Sequence, residues 1–349
     1  LKSLTIPGNQ WMDVSKGPLL TLKLAEDTIN NNYYVILNQH HLVLDHVGME
    51  KVISEVTTYL SEEASNLPKP VAYRDFIGHI LHQQSINDSE SYFKELLGNI
   101  DEPTYPFELS NVLGSGGNIK ESEVVLPKEL SNRIRSICVE LGISPAVVFH
   151  AAYGIVIARC SNKDYAIFGS LFSGRLQGSL GAADSLGLFI NTLPFLVELK
   201  GSVKEYIETI NQGLRGLLPY EQTPLSEVQS WSGISNEVSI FSALLNFRHS
   251  SIQSGNEENE NIDLGITVLE GHERTNYPFT LNADDFGTDL GFGLTAQIDE
   301  SVDADKVLEY MQEALVQLLD GLKTKEELAV TALAIVTKEE EKQVLEVFN

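Results

Sequence analysis

The chain has 349 residues, 42% of them hydrophobic, and a formal net charge of −25. Its length suits two domains of ordinary size, and its hydrophobic share is typical of a folded globular protein. The negative charge argues against nucleic acid and anionic membranes as partners, because both attract basic surfaces. The cysteines, Cys138 and Cys160, lie in apolar sequence, so we expect free thiols. The sequence shows no signal peptide and no apolar run of membrane-spanning length, so we expect a cytoplasmic protein.

The first hundred residues predict a β-hairpin followed by helices. Two apolar and β-branched segments, residues 18–24 and 33–37, flank the polar tract 26–32 and predict an antiparallel pair of strands. Helical spacing of apolar residues then predicts three helices, at residues 47–61, 73–84 and 88–97.

A stretch rich in Pro, Gly, Asn and Asp, residues 99–118, is the best candidate for a domain boundary. We therefore predict an N-terminal domain over residues 1–100, a linker over 101–120 and a C-terminal domain over 121–322. Residues 323–349 are charged and have the character of a linker.

Beyond this boundary, predicted strands and helices are interspersed. The strands are predicted at residues 122–127, 165–173, 195–199, 238–248, 264–269, 279–282 and 291–298, and the helices at 128–141, 146–159, 203–218, 225 onward and 303–321. The helix at 146–159 is apolar almost all round and should be buried. Residues 250–261 are polar and acidic and predict a loop. The mixture predicts an α/β fold with mixed sheets.

Three imidazoles and a carboxylate lie within seven residues, directly after the predicted strand 33–37. They are His40, His41, Asp45 and His46. Histidine both accepts and donates a proton near neutral pH, and a strand end holds a reactive group where a loop leaves it accessible.

Three interpretations of this segment are open from the residues alone. It is a catalytic site, with Asp45 fixing the imidazole tautomer or pairing with a cation, or a polar cap with Asp45 at the start of a helix. The third is a metal site formed by His40, His41 and Asp45, which no further cluster of Cys and His in the sequence supports.

Five motifs follow one another in an order that resembles a known family. They are HHLVLD at residues 40–45, YRDF at 73–76, the pair Gly174-Arg175, GLFINTLP at 187–194 and EQTPL at 221–225. The set resembles the condensation domain of nonribosomal peptide synthetases, in the chloramphenicol-acetyltransferase-like superfamily, over almost the whole chain. His46 stands where the family has glycine, and Leu196 where it has arginine. The two motifs that precede the histidines in the family have no match.

The resemblance implies an architecture and a reaction. It implies an α/β fold of two chloramphenicol-acetyltransferase-like lobes that form a V with the active site in the seam. The N-terminal lobe is expected to be incomplete in this chain, which leaves the chain's own activity open. The implied reaction is amide formation, in which a carrier-tethered aminoacyl acceptor attacks a carrier-tethered acyl or peptidyl thioester donor.

The resemblance also implies partners. They are an upstream donor and a downstream acceptor carrier (thiolation) domain, and an adenylation domain beyond residues 323–349. The phosphopantetheine arms of the carriers bring the substrates, and we expect this chain to bind no cofactor or metal directly.

The resemblance assigns roles to individual residues. His41, the second histidine of the motif, is the implied catalytic residue, and His40 is implied to be structural. Asp45 is implied to pair with an arginine, either Arg175 in this chain or an arginine of the unmatched upstream motifs. Candidates for contact with the substrate or the oxyanion are Ser173, Gly174 and Asn246, although Asn246 serves equally well as a strand-end hydrogen-bonding residue.

Two alternative functions share the HHxxxD motif. An epimerisation domain, or one that both condenses and epimerises, uses the same histidine. A free-standing acyltransferase would take its donor from a CoA thioester.

Overall fold

The computed structural model describes residues 12–112, 114, 118–175, 184–249, 266–267, 269, 271, 275–324 and 327–347. These residues divide into two compact units. Unit 1 holds the described residues of Leu1–Ile86, Ser173–Ile190 and Glu258–Gly271, and unit 2 holds those of Asn87–Phe172, Asn191–Glu257 and His272–Asn349. Each unit is therefore built from segments that are distant in the sequence.

The described residues form eight strands and nine α-helices, with short 3₁₀ and π turns between and after them. The strands are β1 (Leu20–Asp27), β2 (Asn32–Gln39), β3 (Ile119–Val125), β4 (Tyr165–Phe172), β5 (Asn191–Glu198), β6 (Ala243–His249), β7 (Phe279–Asp285) and β8 (Phe292–Asp299). The helices are α1 (His46–Leu60), α2 (Tyr73–Ile86), α3 (Ser89–Leu97), α4 (Lys128–Leu141), α5 (Pro145–Cys160), α6 (Val203–Leu217), α7 (Leu225–Trp231), α8 (Ala304–Lys323) and α9 (Lys338–Lys342).

Unit 1 contains the predicted hairpin, β1 and β2, followed by α1 and α2. The antiparallel register places Leu22 opposite Leu37 and Leu24 opposite Val35, so these side chains stand on one face of the hairpin. That face is uncovered. We call it the apolar face, and it consists of the exposed residues Leu20, Leu22, Leu24, Tyr33, Val35 and Leu37.

Unit 2 is built on a six-stranded mixed sheet with the strand order β3-β8-β7-β6-β4-β5. The β7-β6 and β6-β4 pairs are parallel and the other pairs are antiparallel. Helix α5 is buried along nearly its whole length and packs between the sheet and α8, as its all-apolar sequence predicted. The α/β fold with mixed sheets is therefore confirmed.

The units divide between Ile86 and Asn87, fourteen residues before the N-terminal domain was predicted to end at residue 100. The cause is α3, which belongs to unit 2. Its Phe93 and Leu97 are fully buried in the unit 2 core, and the ring of Phe93 stacks with that of Trp231.

The C-terminal segment, predicted as a linker, packs against unit 2 over part of its length. Val330 donates its N–H to the carbonyl of Gly201, and the carbonyl of Leu328 accepts from the N–H of Val203. The side chains of Val330, Leu333 and Ile335 are buried. These contacts anchor the segment at least as far as Ile335.

Some predicted elements differ from those observed. Strand β5 begins at Asn191 rather than at 195, because Asn191 to Pro194 already pair with β4. In the predicted strand 264–269, the residues Ile266, Thr267 and Leu269 lie in no strand, and the others lie outside the described residues. The predicted loop at 250–261 also lies outside them.

Among the described residues, no single helix is long and apolar enough to cross a membrane. Helices α4 and α5 meet that criterion only as a pair bent by 112°.

Candidate active site

The turn after β2 is held by the backbone and by His40. The N–H of His40 donates to the carbonyl of Leu19 (2.8 Å), and the carbonyl of His40 accepts from Val43 N–H (3.1 Å). The Nδ1 atom of His40 accepts from the N–H of Leu42 at 3.1 Å. Because this nitrogen acts as an acceptor, the ring of His40 braces its own turn.

Asp45 lies at the end of this turn, and its carboxylate is 1% exposed. As the N-cap of α1, its Oδ1 accepts from the N–H of Gly48 at 2.7 Å. The guanidinium of Arg175 donates to Oδ1 at 2.7 Å and to Oδ2 at 3.2 Å. The N–H of Phe189 donates to Oδ2 at 3.3 Å. Four donors therefore converge on one buried carboxylate, which compensates for the loss of water around it.

Arg175 is the partner that was expected within this chain, and it has contacts beyond Asp45. Its NH1 donates to the carbonyl of Ser185 at 3.1 Å, and its guanidinium carbon lies 3.9 Å from the centre of the Phe189 ring. Its side chain is only 8% exposed. Arg175 thus joins the histidine turn to the segment that returns to unit 1 between β4 and β5.

An aromatic cluster supports the same segment from α2. The rings of Tyr73, Phe76 and Phe189 are in mutual contact, with centroids 4.2–5.6 Å apart. The hydroxyl of Tyr73 donates to the carbonyl of Leu188, and burial raises the pKa of Tyr73. A Cβ on Gly187 would lie 2.2 Å from Cδ2 of Tyr73. The YRDF and GLFINTLP motifs are therefore parts of one packing arrangement.

His41 lies in the turn between these fixed residues. It is half-buried, and its Nδ1 atom is buried. His46, the first residue of α1, is more exposed, with 54% of its side chain accessible, and its Nε2 lies 3.2 Å from the carboxylate of Glu50. The His46 side chain therefore pairs along α1 and does not join the cluster around Asp45.

The structure bears on the three interpretations of the histidine segment. The cap and the ion pair occur together, because Asp45 caps α1 and also pairs with Arg175. Both Asp45 oxygens are engaged by N–H donors, which does not suit a metal ligand, and the described residues contain no group of three side chains suited to hold a metal.

The other residues predicted to contact the substrate or the oxyanion are divided between the two units. Ser173 is exposed and Gly174 is buried with a φ of 64°, both in unit 1 with His41 and Asp45. Asn246 belongs to unit 2, where its Nδ2 donates to Oδ1 of Asn282 at 3.1 Å. Asn191 is a structural residue, because its Nδ2 donates to the carbonyls of Glu221 and Thr223, each at 2.8 Å.

Sequence reasoning did not single out several residues of these sites. Phe189 and Ser185 contact Arg175, and a signal existed only for Phe189, as the aromatic residue of the GLFINTLP motif. Asn282, the partner of Asn246, carried no signal. Burial in unit 2 also shifts two titratable groups that the sequence did not single out: it raises the pKa of Glu221 to about 6 and lowers that of His150 to about 4.

Comparison with known proteins identifies the class. A family model described as "Condensation domain" matches residues 8–345. The chain therefore belongs to the condensation-domain family.

Its relatives are large synthetases. The chain is 35% identical to malpibaldin synthetase of Mortierella alpina over 97% of its own length and 6% of the synthetase. It is 24% identical to bacitracin synthase 3 of Bacillus licheniformis, over 93% of the chain and 5% of that protein. The chain thus spans only a small fraction of the curated relatives it matches.

Solved structures show the same fold. The condensation domain from the monacolin K polyketide synthase MokA matches with a TM-score of 0.65 and 16% identity, over 92% of this chain and 76% of that one. The X-domain from teicoplanin biosynthesis matches with a TM-score of 0.74 and 13% identity, over 96% of this chain and 78% of that one.

We predict that breaking the Asp45–Arg175 pair destabilises unit 1. Asp45→Asn and Arg175→Gln should each lower the free energy of unfolding by about 3–5 kcal/mol, because each leaves one buried charge uncompensated. The double variant should lose less than the sum, since no lone charge remains. Urea unfolding of the four proteins measures this cycle.

The exposed pair Lys51–Asp184, 3.1 Å apart in the same unit, provides the control. Lys51→Ala should cost less than about 1 kcal/mol. A loss for Arg175→Gln no larger than that of Lys51→Ala would show that Asp45 does not depend on this pair.

We also predict that only glycine fits at position 187, because the ring of Tyr73 occupies the space of a side chain there. Gly187→Ala should cost about 1–3 kcal/mol, because the new Cβ overlaps the ring. Adding Tyr73→Leu should recover part of this loss. Gly78→Ala on α2 is the control, because a Cβ there meets nothing within 4 Å and should stabilise the helix by up to about 1 kcal/mol. Thermal unfolding measures the three variants beside the unaltered protein, and equal stability of the two Gly→Ala proteins would contradict the prediction.

Proposed function

We propose that this chain forms an amide bond between two carrier-tethered substrates, as part of a nonribosomal peptide synthetase. The donor is an acyl or peptidyl thioester and the acceptor is an aminoacyl thioester with a free amine. The amine nitrogen attacks the donor carbonyl, a C–N bond forms and the C–S bond breaks. The proton lost by the amine returns to the leaving thiolate. Family membership and the fixed turn that presents His41 support this proposal.

The acceptor amine sets the first chemical requirement. An α-amine has a pKa of about 7.7–8.0 and is mostly protonated at neutral pH, while only its neutral form attacks a thioester. A base beside the amine, or a site that favours the neutral form, removes this obstacle. His41 is the histidine proposed for that task. We propose that it takes the amine proton as the C–N bond forms and passes it to the thiolate.

The surroundings of His41 suit a positioned base. The turn is fixed at one end by the hydrogen bonds of His40 and at the other by the four donors on Asp45. A base held in this way does not have to be ordered when substrates arrive. Orientation of two tethered reactants contributes further, because effective molarities supply roughly 7–11 kcal/mol in favourable cases.

Other residues have secondary roles in the proposal. Asn246 offers an amide N–H to the oxyanion that forms on the donor carbonyl, and Ser173 and Gly174 line the path of a substrate. Asp45 and Arg175 contribute indirectly, because they hold the turn that carries His41 in its conformation. No cofactor bound by this chain is required, because the phosphopantetheine arms of the carrier domains bring both thioesters.

The proposal also includes the neighbours of the chain in the synthetase. A donor carrier domain precedes it, and an acceptor carrier domain and an adenylation domain follow. The C-terminal segment, which is anchored at least as far as Ile335, would give the adenylation domain a fixed starting point on unit 2.

The decisive experiment replaces His41 in the full-length protein. With loaded donor and acceptor carriers, His41→Ala should lower the rate of amide formation by about 100-fold or more, the usual contribution of a positioned base. Single-turnover quenching with mass spectrometry of the released product measures the rate. His82→Ala, an exposed histidine of α2 in the same unit, should leave the rate unchanged.

Three results would contradict the proposal. Near-normal amide formation by His41→Ala would remove the base role. Consumption of acyl-CoA in place of the carrier-bound donor would identify a free-standing acyltransferase. A donor residue that changes configuration without amide formation would identify an epimerisation domain.

We further propose that additional residues of the same polypeptide cover the apolar face of unit 1. Leu22, Leu24 and Val35 are 54–65% exposed on a hairpin of two strands, an arrangement that is at best marginally stable alone. The solved condensation domain and X-domain contain about a quarter of their length that this chain does not match. Residues corresponding to that quarter would complete the N-terminal lobe.

Fluorescence of the apolar dye ANS tests this completion. The chain alone should bind the dye, and the pair Leu22→Thr and Leu24→Thr should reduce binding because both side chains are exposed. Val139→Thr, a single exposed valine of α4, should not. A form of the chain extended at its N-terminus should bind as little dye as the threonine variant. Equal dye binding by the extended form and the chain alone would contradict the proposal.

A further inference from the structure

The C-terminal segment is attached to unit 2 in two different ways along its length. As far as Ile335 it is held by burial, because the side chains of Val330, Leu333 and Ile335 are at most 8% exposed. Its backbone also pairs with the body of unit 2 in this part, where Ser202 and Ala329 form a β-bridge. This first part is therefore held by the apolar core and by the backbone together.

Residues 336–347, which we call the strap, follow with much less burial. Val336 is 36% exposed and Leu345 is 59% exposed. The strap contains α9, which is only five residues long. A helix of this length does not persist in water on its own, because too few hydrogen bonds repay its nucleation. The helical conformation of the strap therefore depends on its contacts with the rest of unit 2.

One carboxylate of the strap, that of Glu340, contacts α8. The hydroxyl of Tyr310 donates to Oε1 of Glu340 at 3.0 Å, and Nζ of Lys306 lies 2.9 Å from Oε2. The Oε2 atom is itself inaccessible to solvent. We call these three residues the clasp. Among the residues that the structure describes, no other hydrogen bond or ion pair joins the strap to the rest of unit 2.

Lys306 also has a second partner on its own helix. Its Nζ lies 2.7 Å from Oε2 of Glu309, three residues further along α8. The carboxylates of Glu309 and Glu340 raise the pKa of Lys306 above its ordinary value, so the amine remains charged. When Glu340 leaves, the amine keeps Glu309 and the carboxylate of Glu340 returns to water. Opening the clasp therefore leaves no buried charge uncompensated, whereas an orphaned charge is what makes most buried pairs costly to break.

We propose that the clasp is a release point, at which the strap docks on α8 and detaches from it while the chain as far as Ile335 stays in place. The closed state brings two like-charged carboxylates to one amine, and the open state relieves their repulsion. Residues that follow the strap in a longer polypeptide are held against unit 2 when the clasp is closed. They gain up to about 40 Å of reach when it is open, the length of the extended strap. This device goes beyond the proposed function, because docking of the strap requires no substrate.

Hydrogen–deuterium exchange of the full-length protein, read by mass spectrometry of its peptides, tests the release point. Glu340→Gln keeps the size of the side chain and removes its charge. It should speed exchange of the α9 amides by about tenfold, because the ion pair with Lys306 is lost. Tyr310→Phe should speed it by about threefold, because one hydrogen bond to a charged group is lost. Both variants should leave exchange of residues 328–335 unchanged.

Glu309→Gln separates a release point from an ordinary stabilising contact. In this variant Glu340 is the only carboxylate beside Lys306, and opening the clasp leaves the amine unpaired. Exchange of the strap should therefore slow by about two- to threefold. The control is Lys342→Gln, because Lys342 is 68% exposed and pairs only within the strap, 3.8 Å from Glu346. This control should change the exchange rate by less than about twofold.

Three results would overturn the inference. Unchanged exchange of the α9 amides in Glu340→Gln would show that the clasp does not hold the strap. Equal acceleration of residues 328–335 and of the strap would show that the whole segment detaches as one unit. Faster exchange in Glu309→Gln would show that Glu309 supports the closed state. If Glu340→Gln does not fold, Tyr310→Phe provides the same comparison. A protein that forms no amide would overturn the proposed function and leave these measurements unaffected.

Discussion

The buried carboxylate of Asp45 is the interaction on which the candidate site depends. A charge that is 1% exposed is costly unless donors replace the water it has lost, and here Gly48, Phe189 and Arg175 do so. Gly48 belongs to α1, whereas Phe189 and Arg175 belong to the segment that returns to unit 1 between β4 and β5. Satisfying one carboxylate therefore fixes the start of α1, the histidine turn and the returning segment relative to one another.

Unit 1 has a large part of its buried contacts, among the described residues, in this cluster. Its buried apolar residues around α2 and the returning segment are few, with Phe76 and Phe189 at the centre of one small cluster. Unit 2 is organised in the opposite way, around an extensive core in which α5 is almost entirely buried. Polar contacts around Asp45 therefore stabilise unit 1, which carries the candidate site, whereas hydrophobic burial stabilises unit 2.

Unit 2 uses neighbouring carboxylates on opposite faces of its sheet. Asp284 pairs with Arg248 from β6, and Asp285 pairs with Arg135 from α4. The first pair joins β6 and β7 on the face of the sheet that carries Asn246, and the second attaches a helix to the opposite face. Arg135 also lies 4.2 Å from the centre of the Phe292 ring, which links this ion pair to the core.

The sequence by itself determined most of the secondary structure, because the local patterns are strong. The hairpin, the buried helix α5 and the helix start at Asp45 follow from alternation, uniform apolarity and capping chemistry, which act within a few residues. The ordered motifs also sufficed to indicate the family.

Only the tertiary structure decided which distant residues meet. Arg175 lies 130 residues from Asp45, and the sequence left open whether it or an arginine of the unmatched upstream motifs is the partner. The same holds for Asn282 beside Asn246, for Ser185 beside Arg175, and for α3, whose amphipathic pattern does not say which unit covers it. A periodic pattern shows that a face will be buried, whereas the partner that buries it depends on the folding of the whole chain.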